Sequence, residues 1–97
     1  MERYGPRTID QEGRLVLHMD VRKQLGWEAG DTLSLTVIDT IVIAQRVTGG
    51  VNTVTGQINE LGAVALPSEI MQQMGWKEND KIDLYHSDNI VVLKTAA

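Results

Sequence analysis

Residues 8–46, TIDQEGRLVLHMDVRKQLGWEAGDTLSLTVIDTIVIAQR, have a second version at residues 57–95, QINELGAVALPSEIMQQMGWKENDKIDLYHSDNIVVLKT. The two segments align without a gap at an offset of 49 residues, and 11 of the 39 paired positions are identical. Both contain a Gly-Trp pair, Gly26–Trp27 in the first segment and Gly75–Trp76 in the second. A repeat of this kind indicates a duplicated folding unit, and we name its two versions copy one and copy two.

Each copy is too short to bury enough apolar surface to fold alone. The copies must therefore pair, either with each other or with the copies of a second chain, and the sequence leaves both arrangements open. We place copy one at residues 7–47 and copy two at residues 57–95. Residues 48–56, which are rich in Gly, Thr and Asn, form the connector between them.

The apolar spacing predicts the same order of elements in both copies: two strands, one short helix and a β-hairpin, or ββαββ. The fold class is therefore mainly β with one short helix per copy. We predict the elements of copy one at Thr8–Asp10, Arg14–Leu17, Asp20–Leu25 (helix), Thr32–Ile38 and Ile41–Gln45. Those of copy two fall at Gln57–Asn59, Ala63–Leu66, Ser68–Met74 (helix), Lys81–His86 and Ile90–Lys94.

Turn and cap residues support these boundaries. Gly26 and Gly75 stand where a helix ends in a left-handed residue, and Ser68 is a candidate N-cap of the second helix. Gly30 and Asn79 occupy equivalent turn positions, and both residue types tolerate a positive φ.

Composition excludes several classes of protein. The chain has 97 residues, a formal charge of −4 and no cysteine, so disulfide frameworks, thiolate zinc sites and cysteine nucleophiles are excluded. His18 and His86 lack the spacing of a helical metal pair, and the sequence contains no P-loop, GxSxG or GxGxxG pattern. We therefore predict no enzyme activity, no cofactor and no metal. The N-terminal segment has no apolar stretch typical of a signal peptide, and no run is long enough to cross a membrane, so we expect a cytoplasmic protein without a membrane partner.

The basic residues are distributed unevenly, although the chain as a whole is acidic. Five of the nine Lys and Arg residues lie in the first 23 positions. Four of them, Arg7, Arg14, Arg22 and Lys23, have uncharged residues at the positions 49 further along the chain: Gly56, Ala63, Met71 and Gln72. Either these are solubilising charges paired with neighbouring carboxylates, or they form a surface for phosphates and guanine bases, which the planar fork of arginine suits.

Copy one resembles the swapped-hairpin DNA-binding domain of the AbrB/SpoVT transition-state regulators, which MazE-type antitoxins share. The ordered set that carries the resemblance is Arg7, Asp10–Gly13–Arg14, Asp20–Val21–Arg22–Lys23, Leu25–Gly26 and Gly30–Asp31. Copy two matches the scaffold, including Pro67 and Met74–Gly75, but not the basic positions, and His18 and Met19 replace the usual Pro and its neighbour in copy one.

The resemblance implies a barrel-like β unit in which two copies interlace their hairpins. It also implies a transcriptional regulator that binds duplex DNA through Arg7, Arg14, Arg22 and Lys23. We expect a homodimer, because two basic copies would then restore a symmetric footprint on paired half-sites. Two alternatives remain: an antitoxin of a toxin–antitoxin pair, and a protein-interaction or assembly module that has lost DNA binding. In both, copy two is the candidate surface for a protein partner.

Overall fold

The computed structural model describes residues 1–50 and 52–96, so Val51 of the connector lies outside the described residues. The structure is mainly β with one short helix per copy, which confirms the predicted fold class at that level. The elements of copy one are β1 (Glu2–Thr8), β2 (Arg14–Val16), α1 (Met19–Leu25), β3 (Thr32–Ile38) and β4 (Ile41–Val47). Those of copy two are β5 (Thr55–Gln57), β6 (Ala63–Ala65), α2 (Ser68–Met74), β7 (Lys81–Ser87) and β8 (Ile90–Thr95). β1 and β5 both begin before the predicted starts of the copies at residues 7 and 57, and we count these whole strands with their copies from here on.

The first strand of each copy lies earlier than we predicted. The sequence placed these strands at Thr8–Asp10 and Gln57–Asn59, whereas β1 ends at Thr8 and β5 at Gln57. The strands stop there because Asp10 and Asn59 each turn the chain with their own side chains. Asp10 Oδ1 accepts the backbone amides of Glu12 and Arg14 at 2.9 and 2.8 Å, and Asn59 Oδ1 does the same for the equivalent residues of copy two.

The helix ends confirm one prediction and correct another. Gly26 and Gly75 both adopt φ 69° in the left-handed region, as predicted, and end their helices. Ser68, however, is the first helical residue and not the cap, because Pro67 holds the N-cap position with φ −60°. Pro67 offers no side-chain acceptor, so the first turn of α2 has no side-chain cap.

The two copies pair with each other inside one chain. The first strand of each copy bonds to the third strand of the other, β1 to β7 and β5 to β3. Adding 49 to a residue number gives its counterpart, and two such counterpart pairs face each other directly: Leu15 opposite Val64 in β2–β6, and Ile43 opposite Val92 in β4–β8. A pseudo-two-fold axis therefore passes through both strand pairs, as in an isologous dimer.

The sheets follow this symmetry. One has six strands in the order β1-β7-β8-β4-β3-β5, and the other is a two-stranded ribbon of β2 and β6. A single core of buried apolar side chains from both copies fills the space between them, and Trp27 and Trp76 belong to it. Asp83 of β7 is buried with 5% exposure, and Arg3 of β1 binds it across the copies at 3.1 Å. Neither helix in the described part of the chain has the length or apolar character needed to span a membrane.

Candidate nucleic-acid interface

Arg14 lies on the two-stranded ribbon, opposite Ala65 of β6. Its side chain is one-third exposed and forms two ion pairs with its own turn: Nε to Asp10 at 3.3 Å and Nη2 to Glu12 at 3.1 Å. The backbone hydrogen bond that the Arg14 amide donates lowers the pKa of the Asp10 carboxyl more than any other contact. Arg14 is therefore held in a fixed direction by carboxylates that a phosphate would have to displace.

Arg22 and Lys23 lie on α1, beside the end of the same ribbon. The Leu17 amide donates to the Gly62 carbonyl at 2.9 Å, which continues the β2–β6 ladder by one further bond. Arg22 Nε donates to the Leu17 carbonyl at 3.3 Å, so the guanidinium lies over this junction between the copies. Arg22 is half-buried there, whereas Lys23 is exposed.

A surface cavity of about 360 Å³ adjoins these two cations. It lies between α1 and the turn that follows, and its lining residues are Met19, Arg22, Lys23, Gly26, Trp27 and Glu28. In copy two the counterparts of the two cations are the uncharged Met71 and Gln72. Glu28, however, has the counterpart Lys77, so the lining of copy one and the equivalent positions of copy two carry the same net charge, and what copy one alone has is the pair of cations on its helix.

Arg7 lies in a polar cluster at the other end of α1. The register of β1 against β7 shifts between Tyr4 and Arg7, where Gly5 and Pro6 interrupt the pairing of the two strands. Arg7 is half-buried, and the Tyr4 ring lies 5.4 Å from the imidazole of His18, the residue that caps α1. Among the described residues, the buried side-chain atoms without a hydrogen-bond partner are all in this cluster: Tyr4 Oη, Arg7 Nε and His18 Nδ1.

The burial of this cluster shifts two titrating groups. Desolvation lowers the pKa of His18, and the positive charge of Arg7 lowers it further. Desolvation also raises the pKa of the Tyr4 phenol, with a smaller contribution from the negative charge of Glu2. The spacing of the two histidines excludes a helical metal pair at His18 but does not indicate this cluster. The signal that could have revealed the cluster is the exchange of Pro67 in copy two for His18 in copy one.

The structure thus distributes the four predicted site residues over three adjoining elements of one copy. Arg22 and Lys23 lie on α1 and share the cavity, Arg7 lies on β1 near the N-cap residue of α1, and Arg14 lies on β2 in the ribbon. Across the pseudo-two-fold axis, all four equivalent positions are uncharged. The arginines outside this set have structural partners: Arg3 binds Asp83, while Arg46 binds the Gly26 carbonyl and Asp31.

The described residues contain no group of three or more His, Asp or Glu side chains that could hold a metal ion. No protein-family model matches the sequence, and no curated protein matches it. Among solved structures, the chain is similar to the solution structure of PHS018 from Pyrococcus horikoshii. The TM-score is 0.54 at 18% identity, and the alignment covers 99% of this chain and 89% of that one. At this level of identity the likeness concerns the fold.

Proposed function

We propose that this protein is a DNA-binding transcriptional regulator of the AbrB type, in which copy one contacts duplex DNA through Arg7, Arg14, Arg22 and Lys23. The main support for the proposal is that these four cations occur in only one of two copies that are related by pseudo-two-fold symmetry. All four cations lie on β1, β2 and α1, and every counterpart in copy two is uncharged. In this proposal the interleaved sheets correspond to the swapped-hairpin barrel of that family.

The ribbon and helix offer a suitable shape for the proposed contact. The major groove of DNA admits a two-stranded β-ribbon, and arginine forks match phosphate oxygens and the O6 and N7 atoms of guanine. Arg14 lies on the ribbon, and Arg22 lies over its end, at the Leu17–Gly62 junction. Because Asp10 and Glu12 compete for Arg14 and the whole chain carries −4, we expect modest, salt-sensitive affinity.

A single chain presents one basic copy, so we also propose that two chains associate on a palindromic site. The second chain would supply the second basic half of the footprint. Sedimentation analysis of the protein with and without a palindromic duplex measures this directly. Two chains per duplex are expected, and tight binding of one chain per palindromic duplex would contradict the homodimer.

A salt titration tests DNA binding itself. Four phosphate contacts predict a slope of roughly −3 to −4 in the logarithm of affinity against the logarithm of salt concentration. Replacing Arg14 and Arg22 by Ala should reduce that slope by about 2. The matched control removes two exposed cations of copy two, Lys77→Ala with Lys94→Ala, which changes the net charge equally and should leave the slope unchanged. Equal losses in both double variants, or no binding by the wild-type protein at the lowest salt, would contradict the proposal.

One observation favours the protein-interaction module as a second candidate. Several large apolar side chains are exposed near the ribbon and α1: Val16 at 42%, Met19 at 58% and Leu61 at 76%. Exposed apolar side chains mark a docking site for another protein where they form one contiguous patch. The salt titration separates the two functions, because a module of this kind would not bind duplex DNA even at low salt.

A further inference from the structure

The guanidinium of Arg22 occupies a space that exists because residue 62 is glycine. A Cβ atom placed on Gly62 would lie 2.7 Å from both Arg22 Nε and Nη2, and closer still to Cζ. Atoms of a side chain do not approach a Cβ this closely, so any larger residue at position 62 would displace the guanidinium. Gly62 belongs to copy two, whereas Arg22 belongs to copy one.

The equivalent glycine of copy one shows that the turn alone does not require this space. Gly13 has φ +76° and Gly62 has φ +79°, so both positions need a residue that tolerates the left-handed region. A Cβ on Gly13, however, would meet only the Leu66 carbonyl at 3.7 Å, which is an ordinary contact. Met71 replaces the arginine on that side.

Arg22 keeps donors for a ligand while it is held in this position. Its Nε donates to the Leu17 carbonyl. Within the described chain, Nη1 and Nη2 have no protein acceptor, and neither is among the buried unpartnered atoms. Both groups therefore remain accessible to solvent, and to a phosphate or a base edge that takes its place.

We infer that Gly62 is a positioning residue: copy two supplies the glycine surface on which the DNA-contacting arginine of copy one is held. The inference rests on the proposed function for the role of Arg22, and it gives the non-basic copy a direct part in that role. A free arginine side chain loses rotamer entropy when it binds a phosphate, and an arginine already held in place loses less. Releasing Arg22 should therefore weaken DNA binding by about 3- to 10-fold.

The test compares Gly62→Ala with Gly13→Ala. Both variants place Ala at nearly the same positive φ, so the strain of the turn is matched, and only the first collides with Arg22. The first readout is independent of DNA: the NMR resonance of the Arg22 Nε–H group, assigned by its loss in Arg22→Met. We expect this resonance to move to the position of a free arginine in Gly62→Ala and to stay unchanged in Gly13→Ala. DNA affinity should fall 3- to 10-fold further in Gly62→Ala than in Gly13→Ala, because only in Gly62→Ala must DNA binding restrict a free Arg22 side chain.

A double-variant comparison completes the test. In an Arg22→Met background, Gly62→Ala and Gly13→Ala should have the same effect on DNA affinity, because no guanidinium remains to be displaced. If either alanine variant does not fold, the Gly62→Asn and Gly13→Asn pair replaces it, since Asn tolerates a positive φ. An Arg22 resonance that is equally unaffected by both glycine substitutions would overturn the inference. If the wild-type protein does not bind DNA, the proposed function fails, and the resonance still decides whether Gly62 positions Arg22.

Discussion

Replacing His18 by Pro should stabilise the protein and make its stability less dependent on pH. The pseudo-symmetry supplies the reason: His18 has φ −60° and ψ 137°, and its counterpart Pro67 has φ −60° and ψ 152°. The backbone of His18 is thus already in the conformation that the pyrrolidine ring imposes. Because Pro67 has no amide hydrogen and the chain follows the same course there, the His18 amide is not needed to form the helix start.

Three contributions set the size of the effect. Proline at a compatible site stabilises by about 0.4–1 kcal/mol, because it restricts the unfolded chain. Removing the buried, unpartnered Nδ1 of His18 relieves a desolvation cost of about 1 kcal/mol or more. The loss of the ring contact with Tyr4 costs about 0.5–1.5 kcal/mol. The balance is a gain of about 1 kcal/mol, or roughly 4–8 °C in Tm for a domain of this size.

The pH dependence follows from the direction of the His18 shift. Burial and then Arg7 lower its pKa in the folded state, whereas the backbone at Gly5 and the charge of Asp20 oppose the shift. The unfolded chain therefore binds a proton at His18 more readily than the folded chain does. Stability must fall as the pH drops below the ordinary histidine value of 6.5, until the folded-state pKa is passed. Tyr4 and His86 also face this cluster, but both are retained in the variant.

Chemical denaturation of the wild-type protein and of His18→Pro between about pH 8 and pH 5, the range that brackets histidine titration, measures both effects. The free-energy advantage of the variant should grow as the pH falls. His18→Gln is the matched control, because it removes the titration and keeps a polar side chain and an amide hydrogen. Parallel stability curves for the wild-type protein and His18→Pro over the whole range would refute the reasoning.

Three further predictions concern the turn, the cooperativity and the axis. Asp10→Asn should retain the turn, because Asn59 makes the same turn in copy two. It should also raise DNA affinity, because it removes a carboxylate that competes with DNA for Arg14. Asp10→Ala, which removes the turn acceptor, should lower Tm. Because the pKa of Asp10 is lowered in the folded state, its carboxylate stabilises the protein above the unfolded-state pKa of 3.8. This stabilisation is lost as the pH falls through the folded-state pKa. Thermal melts at a series of pH values should show that Asp10→Asn removes this loss of stability in acid. In a variant that retains only Trp27, and in one that retains only Trp76, fluorescence and far-ultraviolet circular dichroism should give the same denaturant midpoint, because one core contains both rings. Midpoints that differ between the two probes within one variant would show independent copies. Leu15→Ala, on the pseudo-two-fold axis and fully buried, should cost about 2–5 kcal/mol by denaturation and shift both tryptophan signals together.

Much of the local structure was predictable because the residues that form each cap and turn occur at equivalent positions in both copies. The α2 boundaries Ser68–Met74, the left-handed Gly26 and Gly75, and the bounds of β3 at Thr32–Ile38 are confirmed. Each depends on residues close together in the chain, where capping and turn chemistry act directly.

The first strand and the pairing of the copies were not predictable in the same way. β1 bonds to β7 across about 80 residues, and its Gly5–Pro6 interruption removes the alternation that marks a strand. The choice between pairing within a chain and between chains also depends on contacts that leave no local pattern. In the structure, the strand pairs that join the two copies all form within one chain.

Some features of the candidate site could also be predicted from the sequence, and others could not. Its members were selected from the charge difference between the copies, which the sequence displays directly. The ion pairs of Arg14 were open to prediction, because Asp10 and Glu12 are its neighbours in the chain. The contact between Arg22 and Gly62 was not open to prediction, since 40 residues separate them and only the fold brings them together.

The most direct measurement of the proposed function is an NMR titration of the isotope-labelled protein with a short duplex at low salt. The repeat supplies an internal control, since each residue of copy one can be compared with its counterpart in copy two. Amide shifts should be largest in residues 7–23, around Arg7, Arg14 and Arg22. In the equivalent residues 56–72 they should be smaller and confined to β6 and Gly62, which adjoin Arg14 and Arg22. Shifts of equal size in both segments, or shifts confined to copy two, would contradict DNA binding through copy one.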